Sequence, residues 1–429
     1  MNAPMADDIS IYDRLWRSDA ETCALLAQGA ARRELIAVFG VTEYALLATL
    51  ARQAQAARRR SAESVYLLPG IMGSQLGTLR SAGEPPGLLW LDPQDVIGGA
   101  LSRLKMPDIA GLSTLGAIPY SYLALQLRLR AAGFAVTVHD YDWRMNLDDL
   151  AEAFAARLRQ DAAPGIYIIA HSMGGLIARR AMQSADLGRV RRLVTLGTPH
   201  GGSYGAVQAI RGTYPVVRRL AALDRAHDAD FLASQVFSTF PSLYQMVPRA
   251  GGGCSADLFD ASRWPQSGPR PDPRLLDAGR AFTTDLSADE PRCVAICGTL
   301  QRTVTGLRLE RDEFLYQVSD AGDGTVPLAS AQLAGSHNYF VRCEHSALPR
   351  SATVARAVLE LLRQGRTTRL ASIASTRNAR EVSVSDAQLR TTWNEKIDWT
   401  AMTPEERRRY LNQLNQPPPQ YAAMGPALV

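Results

Sequence analysis

The chain has 429 residues, 46% hydrophobic and 21% charged, the balance of a globular protein with a sizeable core. That excludes wholesale disorder, a collagenous chain and a coiled-coil rod, and no run approaches the roughly 18 apolar residues of a membrane span. The formal charge of +5 rests on arginine, only Lys105 and Lys396 being lysine, and gives no sign of a nucleic-acid partner.

The start, MNAPMADDIS, puts Asp7 and Asp8 where a secretory signal carries basic residues, and no apolar region follows. A cytoplasmic protein is expected. Residues 20–60 then carry Leu25, Leu26, Leu35, Ile36, Tyr44, Leu47 and Leu50 at helical spacing. Gly40, Val41 and Thr42 are expected to break this stretch into two helices. Arg58, Arg59 and Arg60 close it as a solvated helix end, or as a contact for anionic lipid or a partner.

The pattern changes at SVYLLPG (64–70). This run, FAVTVHDYDW (134–143), GIYIIAHS (165–172), RRLVTLGTP (191–199), RCVAICGTL (292–300) and NYFVRCEH (338–345) are short apolar segments. Strands buried on both faces read this way. Helical patterns at 120–132, 147–161, 173–185 and 351–364 alternate with them, which predicts a mostly parallel sheet with helices on both faces. Intervals 81–118 and 201–290 break the rhythm as long insertions. Beyond Gly365, Thr403, Pro404 and Glu406 form a capping-box start for a short helix, and the Pro-rich end reads as a tail or surface strap.

The five cysteines are scattered, with no zinc-like spacing, and no metal or cofactor is implied. Cys293 and Cys297 fall on one face of a strand, as small core residues do.

The strongest chemical signal is IYIIAHSMGGLIARRAM, a strand running through Ala170-His171-Ser172-Met173-Gly174 into a helix. That is a nucleophile elbow, with Ala170 at its first small position, and it makes Ser172 the candidate nucleophile of an α/β-hydrolase fold. A serine needs a base, and in this fold's chain order the histidine comes last. Of His139, His171, His200, His227, His337 and His345, only His337 and His345 follow both serine and acid, and His345 lies at the end of the last strand-like run whereas His337 precedes it. For the acid, FLYQVSDAGDGTVP offers Asp320 and Asp323, and the Gly-Asp-Gly turn favours Asp323. The oxyanion donors are expected to be the backbone N–H of Met173 and that of Ile71, in the loop after the first strand.

LLPGIMGSQL, DYDWR (140–144), AHSMGG, LGTPHGGS (196–203), FPSLYQMVP (240–248), GDGTVP and the late His345 together resemble the lecithin:cholesterol acyltransferase-like branch of α/β-hydrolases. The resemblance spans about residues 64–362. It implies acyl transfer from a lipid ester through a serine acyl-enzyme, to water or an alcohol, by a lipase, phospholipase or acyltransferase. It also makes 81–118 a lipid-surface region and 201–290 a lid, and its substrate partner a lipid or other acyl ester, met at a membrane surface. Within 81–118, Leu88, Leu89, Trp90 and Leu91 read either as an exposed apolar knot or as core. In the lid, Phe231 and Leu232 are expected over a pocket, with Gly251-Gly252-Gly253 as hinge and higher activity on aggregated ester. The layout is then a helical extension at 1–60, a catalytic domain at 61–365 and an extension at 366–429. Other readings stay open: an esterase, thioesterase or polyester depolymerase with the same triad, or a non-catalytic partner-binding protein on this fold.

Overall fold

Residues 18–57, 62–80, 84, 86–184, 186–250, 253–254, 256–286, 290–375 and 381–421 are described by a computed structural model of the chain. Its strands are β1 (Ser64–Leu68), β2 (Ser74–Thr78), β3 (Gly87–Trp90), β4 (Ser113–Ala117), β5 (Ala135–Val138), β6 (Ile166–His171), β7 (Val190–Leu196), β8 (Cys293–Thr299), β9 (Thr303–Glu310), β10 (Glu313–Ser319), β11 (His337–Arg342) and β12 (Val382–Ser385). The six apolar runs supply the six strands of one sheet, in the order β11-β8-β7-β6-β1-β5. Every pairing in it is parallel. β6 and β8 are buried at every residue, as strands covered on both faces must be.

The main helices are α1 (Asp19–Gln28), α2 (Arg32–Phe39), α3 (Val41–Ala56), α4 (Pro119–Ala131), α5 (Leu147–Gln160), α6 (Met173–Met182), α7 (Tyr204–Arg211), α8 (Pro215–Leu223), α9 (Pro273–Asp285), α10 (Ala352–Gln364) and α11 (Pro404–Asn412). On one face of the sheet Phe154 and Leu158 of α5 and Leu176 and Ile177 of α6 meet Ile166 and Ile168. On the other, Leu125 and Leu129 of α4 and Val358 and Leu361 of α10 meet Val65, Leu67 and Ile169. This is the α/β-hydrolase arrangement. Pairing of Leu68 with Ala170 sets the loop after β1 beside the turn after β6, at the carboxyl ends of the strands.

The N-terminal stretch forms three helices rather than two. Gly29, at φ 72, takes the left-handed conformation that ends α1. Gly40 ends α2, while Val41 and Thr42, expected as breakers, open α3. Leu26, Phe39 and Leu47 pack on Leu123 and Leu127 of α4. Arg58, Arg59 and Arg60 lie outside the described residues.

β3 and β4 of the first insertion pair with β2, just before it, in a small antiparallel sheet. Leu89 is 0% and Trp90 2% exposed, so the apolar knot is core. Between residues 201 and 248 the second insertion is a packed cap. Leu232, expected to overhang a pocket, is 0% exposed, and Phe231 is 36% exposed. Gly251 and Gly252 of the expected hinge lie outside the described residues.

The C-terminal segment is what holds this cap. β12 adds an edge to β10. Asp386 forms a buried ion pair with Arg211 of α7 at 2.9 Å, and also accepts from the Tyr316 hydroxyl at 2.7 Å. Arg390 grips Asp230 through both carboxylate oxygens, at 2.5 and 2.6 Å. Lys396 donates to the carbonyls of Ala221 and Asp224 at the end of α8, where a cation also suits the helix dipole. The Thr403 capping box forms as expected, and Tyr410 of α11 donates to the Arg219 carbonyl.

Candidate active site

β6 ends one residue before Ser172 and α6 begins one after it, so the backbone turns sharply there, at φ 54 and ψ −128. A serine at positive φ is strained, and only a surround that over-determines the turn keeps it there. Here the Ser172 N–H donates to the Leu196 carbonyl at 2.9 Å, and the Ser172 carbonyl accepts from the Thr198 hydroxyl at 2.9 Å. The turn lifts Oγ clear of the sheet.

His345 follows β11 and opens a short 3-10 helix. Its Nε2 lies 2.9 Å from Ser172 Oγ, and its Nδ1 lies 2.7 Å from Asp323 Oδ2. The carboxylate can only accept, so Nδ1 carries the proton and Nε2 is left to accept from the serine hydroxyl. Asp323 is 1% exposed, and its other oxygen accepts from the N–H groups of Thr325 at 3.0 Å and Val326 at 2.7 Å. A backbone bond from His345 N–H to the Asp323 carbonyl, 2.8 Å, ties the two loops again. Asp320 instead pairs with Arg302 at 3.3 Å. Asp323 does not end a strand of the main sheet: it sits in the turn after β10, which belongs to a separate antiparallel sheet with β9 and β12.

The loop after β1 is braced at almost every residue. Tyr141 donates to the Pro69 carbonyl at 2.5 Å, Gly70 N–H donates to the Tyr122 hydroxyl at 2.9 Å, and Trp90 donates to the Met72 carbonyl at 3.0 Å. Gly73 accepts from Ile118 N–H at 2.9 Å. Among the described residues the Ile71 N–H has no acceptor. Met173 is the first residue of α6, so its N–H has no intrahelical acceptor either. A side chain on Gly70 would put Cβ 2.8 Å from Ser172 Cβ, so only glycine lets this loop approach Ser172 so closely.

Three other histidines, His171, His200 and His227, have partners of their own. His171 bonds Tyr122 and the His345 carbonyl, and burial, then the neighbouring His345, holds its pKa well below the ordinary value. His200 is lodged between Arg179 and Thr195, and burial, then Arg179, lowers it likewise. His337 is exposed at the start of β11, and His227 pairs with Asp224.

Sequence reasoning did not single out Tyr122, which lies in an ordinary helical pattern with no motif around it. Tyr141 was visible only inside DYDWR. There Tyr141 and Trp143 clasp the β1–β2 segment, and Arg144 bonds Asp142 and the Leu104 carbonyl. A cleft of about 380 Å³ reaches His345 and Asp323, and Arg350, Arg408, Asn412 and Gln413 make its lining polar. Among the described residues no group of His, Cys, Asp and Glu could hold a metal ion.

A palmitoyl protein thioesterase family model matches residues 131–243, a stretch that includes Ser172 and stops short of Asp323 and His345. Over 64 residues the chain is 41% identical to an uncharacterized protein of Saccharomyces cerevisiae, which is 14% of this chain and 10% of that protein. The chain therefore meets that curated relative over only a tenth of its length. Among solved structures, the mature lipase BlEst2 of Bacillus licheniformis is 14% identical, with TM-score 0.37, over 73% of this chain and 95% of that one. Lipase 1 from Pelosinus fermentans is 13% identical, with TM-score 0.34, over 71% and 99%. The Tle4–Tli4 complex gives 15% identity and TM-score 0.40, over 70% and 98%. None of these matches singles out the lecithin:cholesterol acyltransferase-like branch.

Proposed function

We propose that the chain is a serine hydrolase of acyl esters, and the sequence resemblance points to lipid esters among its substrates. The observation that carries this is the hydrogen-bonded line from Ser172 through His345 to Asp323, at 2.9 and 2.7 Å. Ser172 Oγ attacks the acyl carbonyl as His345 Nε2 takes its proton. The buried Asp323 carboxylate stabilises the imidazolium, and the N–H groups of Ile71 and Met173 receive the developing oxyanion. His345 then returns the proton to the leaving oxygen, and water repeats the sequence on the acyl-enzyme. The family-model match over 131–243 favours a second reading of the donor, a thioester.

The test is labelling by a fluorophosphonate, followed by turnover of p-nitrophenyl esters and S-acyl thioesters of rising chain length. Ser172→Ala is expected to abolish labelling and to lower turnover by about 10⁴–10⁶-fold. Asp323→Asn is expected to lose far more activity than Asp320→Asn. A chain whose Ser172 takes up no label, or whose Asp320 matters more, does not work this way.

A further inference from the structure

The site holds a second buried imidazole that the proposed mechanism leaves idle. His171 immediately precedes the nucleophile, and its ring centroid lies 4.7 Å from that of His345. Its Nε2 is 3.1 Å from the His345 carbonyl, and its Nδ1 is 2.9 Å from the Tyr122 hydroxyl. That hydroxyl in turn lies 2.9 Å from the Gly70 nitrogen.

The chemistry of the end groups fixes every proton along this line. A carbonyl only accepts, so His171 carries its proton on Nε2. Nδ1 of the neutral ring is then a lone pair, and Tyr122 must donate to it. The phenol oxygen is thereby free to accept from Gly70 N–H. Gly70 leads into Ile71, on the oxyanion side, and the His345 carbonyl belongs to the loop carrying the base. The two loops come from opposite ends of the sequence, and one line of hydrogen bonds spans them beside the nucleophile.

We infer that Tyr122 and His171 are positioning residues: their hydrogen-bonded relay fixes the spacing between the oxyanion loop at Gly70–Ile71 and the base loop at His345. This rests on the serine-hydrolase reading for its effect on rate, and on the geometry alone for its proton arrangement. The relay works only with a neutral His171, because protonating Nδ1 would remove the acceptor that Tyr122 needs. Burial and the adjacent His345 both oppose that protonation. Two neighbouring imidazoles thus divide the work: one cycles its proton, and the other never does.

Three variants in the full chain separate positioning from packing. Tyr122→Phe keeps the ring and removes the hydroxyl. His171→Leu removes donor and acceptor, whereas His171→Gln restores one of each at a similar separation. With p-nitrophenyl butyrate, Tyr122→Phe and His171→Leu are expected to lower kcat by about 10- to 100-fold, the scale of a small misplacement, with KM within about two-fold. His171→Gln is expected to recover most of that loss. Parent-like kcat in Tyr122→Phe, or equal losses in the Gln and Leu variants, would overturn the inference. Imidazole ¹⁵N spectra of the parent give a readout independent of turnover: a neutral His171 protonated on Nε2 at pH 7 is expected. A charged ring, or a proton on Nδ1, would overturn the relay. A parent that neither hydrolyses ester nor binds fluorophosphonate would sink the hydrolase reading instead, and the spectra would still decide the relay.

Discussion

Gly70→Ala is the smallest change that presses the loop after β1 against Ser172 without replacing Ser172, Asp323 or His345. The added methyl carbon would stand 2.8 Å from Ser172 Cβ and 3.2 Å from His171 Nδ1. Carbon atoms in contact sit about 3.5–4.0 Å apart, so loop and nucleophile must separate by roughly 0.7–1.2 Å. Neither side yields easily, because the Pro69 carbonyl is held by Tyr141 at 2.5 Å and Ser172 by the Leu196 carbonyl at 2.9 Å. A misplacement of about 1 Å costs about 100-fold in rate, equivalent to about 2.7 kcal/mol of barrier. Overpacking adds about 1–3 kcal/mol of lost stability. The assay is kcat and KM on p-nitrophenyl butyrate with urea unfolding alongside. Gly188→Ala serves as control, since nothing lies within 4 Å of its added carbon. The expected result is a kcat near one hundredth of the parent's, with the control unchanged. A Gly70→Ala variant within about two-fold of the parent would show that the loop's distance from Ser172 does not govern the rate.

Asp386→Ala takes the carboxylate from the buried Arg211, which keeps only the Ser267 and Pro269 carbonyls, and from the Tyr316 hydroxyl, and urea unfolding is expected to show about 3 kcal/mol less stability. His139, lowered by burial to about 4, titrates below the unfolded value of 6.5, as do His171 and His200. The unfolded chain therefore binds more protons below pH 6.5, so stability present above that pH falls as acid is added, by up to about 1.4 kcal/mol per pH unit for each histidine. Unfolding at pH 7.5 and 5.5 measures the fall, and His139→Phe is expected to flatten it. Because the cap is packed and clamped, the rate on a sparingly soluble ester is expected to saturate smoothly, with no step at the solubility limit. A sharp rise there would show that the cap opens.

Where the sequence carried local rules, the structure was legible in it. Period and burial marked the parallel strands, the elbow marked Ser172, and chain order marked His345. Asp323 and Asp320 were separable because flanking glycines tighten one turn and not the other. What stayed hidden depends on distant contacts. The cap's amphipathic helices read as a lid over a pocket, and the layer that covers them from residues 386–421 carries no motif that announces it. Leu88–Trp90 read equally as surface or core, since a short apolar run does not say what will cover it. Tyr122 acts through one hydroxyl, and helical periodicity records only where its ring points.

The clamp on the cap also sets an order in time. Gln208 bonds Tyr421 across 213 residues, Tyr410 reaches Arg219 across 191, and Asp386 meets Arg211 across 175. On a ribosome adding roughly 5–20 residues each second, Ser172 and the cap helices emerge well before the residues that fasten them. Until then Arg211 lacks its Asp386 partner, and the parts of α7 and α8 that this segment covers stay open to water. A ribosome stalled after His345 would hold Ser172, Asp323 and His345 without the segment that fastens the cap.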